Sequence, residues 1–225
     1  MPVESFKYLV QIIFIIGFIF AFFIDHLPLS FRIVGYKIDA FPVSTLKSSQ
    51  VMIFNRFGAA LFFASAGFLV DIGVPPKEFL SLFSLSWGVL GLIVLLYIKS
   101  WKAISGFFAM QFSASKNDFS TNLVSFKVRD SLTNFPFFFN LLGISAPVIL
   151  AAFFPDFRAT LLQLGFIFNS VATLLLVFVV EPKFIGHLAD DEGEIADHYH
   201  QRLIFSKAMI LLTMSIISFG CMLWI

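Results

Sequence analysis

Two charged groups, Asp25 and Arg32, close the first apolar run of this chain, and a second arginine, Arg56, lies inside a later one beside Asn55. Guanidinium forks offer paired donors to phosphate oxygens, so Arg32 and Arg56 meeting in one place would suit a phosphate or pyrophosphate. The other reading is that each merely anchors a helix end to lipid phosphates. Asp25 and Arg32 are seven residues apart. A helix continuing through Pro28 would put them on one face, about 10 Å apart along the axis, too far for direct pairing. Further along, Asn140 and Asn169 put amides inside apolar runs, where lipid offers no hydrogen-bond partner, so each must face another helix or a wet cavity. Glu181 follows the run that holds Asn169 and Thr173. Asn169 and Glu181 are twelve residues apart, a little over three turns, which sets them on one stripe. That stripe suits either the lining of a passage or a buried helix contact.

The elements that must position these groups are transmembrane helices. The chain has 225 residues, of which 59% are hydrophobic and 13% charged, with 33 phenylalanines and a mean hydropathy of +0.92. Soluble domains carry about 25% charged residues. About 20 apolar residues cross a hydrocarbon core of about 30 Å. Tyr8 to Ile24, Phe79 to Ile98, Phe135 to Phe154 and Ala159 to Val180 meet that length, and Val43 to Val70 and Leu203 to Ile225 do so with Arg56 and Lys207 inside them. The expectation is an all-α polytopic bundle of six transmembrane helices in a single domain over residues 1–225. The first run is too long for a secretory signal and lacks a small-residue cleavage site, so it is read as retained. Cys221 is the sole cysteine, which excludes an intrachain disulfide framework.

Loop charge sets the expected orientation. With alternating spans, one side holds Arg32, Lys37, Lys47, Lys99, Lys102, Lys116, Lys127, Arg129, Lys183, Arg202 and Lys207, and the other only Lys7, Lys77 and Arg158. The richer side belongs in the cytoplasm, leaving both termini outside. Between the third and fourth spans, Ser100 to Asn134 is basic with interleaved aromatics, and is expected to lie on the cytoplasmic face as amphipathic helix. If the second span starts at Val51, Arg56 lies about 8 Å deep and snorkels; if it starts at Val43, Arg56 is central and lines a cavity. The acidic stretch HLADDEGEIADHYH has histidines and carboxylates but no spacing that defines a metal site, so no metal or other cofactor is expected. No GxSxG elbow, HExxH pair or dense acidic signature lies within a span, so an enzyme is not expected.

Residues 136–191 resemble the Amj family, the alternate lipid II flippases of bacterial cell-wall synthesis. The resemblance rests on FPFFFN (Phe135 to Asn140), PDFRAT (Pro155 to Thr160), FNSVAT (Phe168 to Thr173), EPK (Glu181 to Lys183) and DDEGE (Asp190 to Glu194), in that order and at similar spacings. More loosely, IDHLPLSFRIVGYK and FNRFG are similar to the family's N-terminal third. Ser170 and Glu181 stand where the family pattern has glycine and aspartate, and the last helix shows little match. The resemblance implies movement of an undecaprenyl-pyrophosphate-linked sugar, a lipid II-like glycan precursor, across the bacterial inner membrane, with membrane lipids and no nucleic acid as its other partners. On that reading Arg32 and Arg56 neutralise the pyrophosphate and Asn55, Asn140 and Asn169 solvate the sugar. Asp25 and Glu181 compete for the arginines, and Arg158 and Thr173 complete the candidate set. The alternatives are a small-ligand-binding membrane subunit of a transporter and a membrane-embedded enzyme of lipid-linked glycan metabolism.

Overall fold

A chain this apolar must satisfy its backbone hydrogen bonds internally once it enters lipid, which leaves helices or closed barrels. Helices are what form here. The computed structural model describes residues 3–38, 40–111, 135–175, 178 and 193–225, and among these every regular element is helical. In chain order they are α1 (Val3–Ile24), α2 (Leu27–Lys37), α3 (Phe41–Asp71), α4 (Pro76–Lys99), α5 (Trp101–Gln111), α6 (Phe135–Phe153), a 3-10 turn (Pro155–Phe157), α7 (Arg158–Leu175) and α8 (Gly193–Trp224). Five helical stretches within the described residues are long and apolar enough to cross a membrane: Glu4–Lys37, Phe41–Asp71, Pro76–Lys99, Pro136–Phe153 and Tyr199–Trp224. They match five of the six expected spans. The remaining one, Ala159 to Val180, is represented by α7, and its end lies outside the described residues.

The helices pack as three pairs: α1 and α2 along α3, α4 against α8, and α6 against α7, with α4 also touching α1 and α6. Lipid tails are as apolar as leucine, so helices associate in lipid through close packing and hydrogen bonds. Both devices are visible. A Cβ on Gly17 would lie 2.8 Å from the Phe62 backbone nitrogen, and one on Gly58 would lie 2.8 Å from that of Ala21. These two glycines let the backbones of α1 and α3 approach directly. Between α4 and α8, Ser84 Oγ donates to the Ser215 carbonyl at 3.0 Å and Ser215 Oγ donates back to the Ser84 carbonyl at 2.7 Å. Ser218 Oγ adds a bond to the Leu80 carbonyl at 2.9 Å. Phe14, Phe18, Phe62, Phe79 and Phe83 are fully buried where α1, α3 and α4 meet. Phe14 lies edge-on to Phe83 at 5.2 Å and tilted against Phe62 at 4.8 Å.

The directions of the pairs bear on the span count. Stepping forward along α4 from Leu80 through Ser84 to Tyr97 steps back along α8 from Ser218 through Ser215 to the His200 end, so the two run antiparallel. Along α7, Gly165 faces Gly143 and Phe168 faces Phe139, so α7 runs back along α6. An antiparallel α4 and α8 need an odd number of reversals between them. The α7 helix is not among the five described stretches long and apolar enough to cross a membrane.

The connection after α4 starts as an amphipathic helix, as its composition predicts. Its apolar stripe, Trp101, Ser105, Phe108 and Ala109, is buried, and α5 packs on α2 and α4. Phe108 lies 4.3 Å from the Phe31 ring of α2. The stripe therefore meets protein, while Lys102 stays exposed. The rest of that connection, residues 112–134, lies outside the described residues.

Candidate functional site

Pro28 has no backbone N–H, so a helix running through it would leave the Ile24 carbonyl without its donor. The helix breaks there: α1 ends at Ile24, Asp25 and His26 form a turn, and α2 begins at Leu27. The His26 N–H donates to Phe23 at 3.1 Å, one residue closer than the α-helical partner. That displaces the donor from the Phe22 carbonyl. The ring replaces it: His26 Nδ1 lies 2.7 Å from Phe22 O. A carbonyl only accepts, so Nδ1 carries the proton in neutral His26 and Nε2 presents a lone pair. His26 is 2% exposed, and its Nε2 has no hydrogen-bond partner among the described residues.

One turn into α2, Ser30 is fully buried and its hydroxyl joins three elements. Ser30 Oγ donates to the His26 carbonyl at 3.0 Å, Tyr97 OH of α4 donates to Ser30 Oγ at 2.7 Å, and His200 Nε2 of α8 lies 2.9 Å away. A serine hydroxyl has one proton and two lone pairs, so with its proton on His26 O it accepts from both Tyr97 and His200. This assigns the Nε2–H tautomer to His200. Trp101 covers that ring at 4.7 Å. The broken end of α1 is thereby tied to α4 and α8 by hydrogen bonds that each close a long stretch of chain.

Around this knot lie the charges. Lys207, on α8, is 8% exposed, with Nζ 4.9 Å from the centre of the Phe137 ring of α6. Phe137 also lies edge-on to His26 at 5.9 Å. Asp25 lies within electrostatic range of Lys207, and Lys207 within range of His26, with no direct ion pair between Asp25 and Lys207 among the described residues. On its other side Asp25 accepts from Asn55 Nδ2 of α3 at 3.2 Å. Asn140, one turn beyond Phe137 on α6, has a buried Oδ1 with no donor among the described residues. A buried amide oxygen without a protein partner is a place for water or a ligand hydroxyl. The arrangement therefore offers a buried cation, a carboxylate within electrostatic range of it, and amide groups near the same end of the bundle.

Not every residue expected from sequence reaches this place. The structure brings Asp25 and Asn55 into contact and places Asn140 one turn from the aromatic ring beside Lys207. Arg32 is half-buried on α2; with the helix interrupted at Asp25 and His26, the two-turn spacing no longer fixes a face shared with Asp25. Arg56 is exposed on α3, among exposed Met52, Ile53, Phe54 and Phe57. The α3 helix of 31 residues is about 46 Å long, longer than a hydrocarbon core of about 30 Å. With its Asp71 end at a water boundary, the core ends near Val51. A residue about 8 Å inside such a boundary is within snorkelling reach of headgroups, and the exposed side of α3 that carries Arg56 fits that one of the two expected readings. Arg158 is at the far end of the bundle, paired with Asp71 at 2.8 Å, both side chains about half exposed. Asn169 and Thr173 lie on α7, with side chains outside the described set; Glu181 and the acidic stretch that follows lie outside the described residues up to Gly193.

No protein family, curated protein or solved structure matches the chain. The likeness to the Amj pattern stands on its motifs alone, and of these EPK and most of DDEGE lie outside the described residues.

Sequence reading missed the His26, Ser30, Tyr97 and His200 knot and the buried Lys207 near it. A signal existed for two of them: a lysine four residues into an apolar span, and a histidine directly before a helix-breaking Leu-Pro. Nothing local pointed to Ser30 or Tyr97. Among the described residues, no group of three or more metal-ligating side chains comes together.

The Asp71–Arg158 pair has a simple expected behaviour. It is solvent-facing, and exposed pairs contribute about 0.2–1 kcal/mol. Asp71→Asn should therefore shift thermal unfolding in detergent by no more than a degree or two, and a larger loss would mean the pair is desolvated.

Proposed function

We propose that this chain carries a lipid-linked, diphosphate-bearing glycan across a bacterial cytoplasmic membrane, with Lys207 as the cation that meets the diphosphate. The observation that supports it is Lys207, buried over the Phe137 ring and within electrostatic range of Asp25 at the break between α1 and α2, with the amides of Asn55 and Asn140 near the same end of the bundle. A diphosphate needs a cation inside the bundle, and its sugars need amide partners, while the polyprenyl tail stays in lipid. Asp25 balances the Lys207 charge when no anion is present; an arriving diphosphate takes over that role. Arg56 draws anionic headgroups to the outward surface of α3. The Lys- and Arg-rich loops lie on the cytoplasmic side, so loading starts where such precursors are made.

The test uses purified protein in phospholipid vesicles that contain an undecaprenyl-diphosphate sugar labelled with a fluorophore quenched by an impermeant reductant. Protein-containing vesicles should lose the protected inner-leaflet fraction at a rate well above protein-free vesicles, with no partner ATPase added. Arg56→Gln should slow this only modestly, because its side chain faces outward. Equal rates with and without protein would refute the proposal.

A further inference from the structure

We propose that His26 is a proton-binding site whose occupancy opens the junction between α1 and α2. The inference goes beyond the identity of any transported molecule and rests on the geometry of the break.

The lone pair on His26 Nε2 is buried and unpartnered among the described residues, while Nδ1–H closes the frayed end of α1 on Phe22 O. The groups that face this ring are few. From α8 they are Lys207, by way of the Phe137 ring, and His200, by way of Ser30, and from the turn itself the adjoining Asp25. From α4 there is Tyr97, by way of Ser30; α3 supplies the neutral Asn55 amide, through Asp25, and α6 the Phe137 ring. Among these groups Asp25 is the one carboxylate. A proton arriving on Nε2 leaves the Nδ1–H bond intact and creates a second N–H and a second positive charge near Lys207. Two cations in one low-dielectric place repel, and the Asp25 carboxylate is the anion that can relieve them. Turning toward His26, Asp25 leaves Asn55, and with it goes the hydrogen bond that joins the broken end of α1 to α3. The junction then has fewer ties to its neighbours.

Hydrogen–deuterium exchange of the wild-type protein in nanodiscs tests this without any substrate. Between about pH 8 and 5, where histidine is the side chain that ordinarily changes charge, exchange of the amides of residues 22–30 should rise roughly tenfold after correction for intrinsic chemistry, as a local opening equilibrium shifts. His26→Asn keeps an amide donor for Phe22 O but binds no proton, and should flatten the rise. His200→Gln keeps a donor for Ser30 and should preserve it. A rise that survives His26→Asn, or one abolished by His200→Gln, would overturn the proposal, as would a wild-type junction whose corrected exchange ignores pH. Nitrogen NMR of histidine-labelled wild-type protein reads the same site without a variant: a neutral Nδ1–H histidine should be present at neutral pH. Its absence at neutral pH would equally overturn the assignment.

Discussion

Asp25→Ala is expected to destabilise the protein by about 1–3 kcal/mol, chiefly the cost of leaving a part-buried amide without its acceptor. Asn55 Nδ2 loses its bond to the Asp25 carboxylate, and the buried Lys207, whose ammonium faces the Phe137 ring, loses a carboxylate within electrostatic range. Lys207→Met should cost less, because methionine keeps an apolar stem against Phe137 and Asp25 retains Asn55. The double variant should then recover part of the loss, giving a coupling above about 0.5 kcal/mol in a double-mutant cycle. Unfolding titrations of the four proteins in mixed micelles measure this. Additivity to within about 0.5 kcal/mol would place the two charges too far apart to interact.

Gly58→Leu carries the second large effect, and it acts on packing alone. A Cβ at Gly58 would lie 2.8 Å from the Ala21 nitrogen and 3.0 Å from the Ala21 Cα. The obstacle is backbone, which cannot rotate away as a side chain can. The α1 and α3 axes must separate, which forfeits dispersion contacts along the Phe14, Phe18 and Phe62 interface. Overpacking a core typically costs about 1–3 kcal/mol, and parting two helices along an interface of this length should reach or exceed the top of that range. Gly67→Leu is the control: a Cβ there has nothing within 4 Å. The control should unfold like wild type, while Gly58→Leu should lose several degrees in thermal unfolding and weaken a crosslink engineered between α1 and α3. Equal behaviour of the two variants would remove the close approach from the account.

The comparison of Arg56 with Lys207 shows what was legible in the sequence and what was not. Each is a lone cation in a long apolar run, and run length alone located both spans. Neither α3 nor α8 has a polar face strong enough to say which side of the helix turns inward, so the inward cation could not be told from the outward one. The fold turns Asn55 toward Asp25 and leaves Arg56 facing out. The helix break was foreshadowed by Pro28, yet its consequence was not, because a spacing argument from Asp25 to Arg32 presumes an unbroken helix. Ser30, Tyr97 and His200 come together across separations of 67 and 170 residues, and no local pattern encodes such a meeting. The serine pair between α4 and α8 belongs to the same class: small polar residues in apolar runs whose partners only the packed bundle supplies.

The measurement that reaches the central claim most directly is the rate of inner-leaflet loss of the labelled undecaprenyl-diphosphate sugar in vesicles carrying wild type, Lys207→Arg or Lys207→Met, each inserted at equal density. The account predicts movement by wild type, partial movement by Lys207→Arg, and a fall to the protein-free rate for Lys207→Met. Movement by Lys207→Met at the wild-type rate would contradict it.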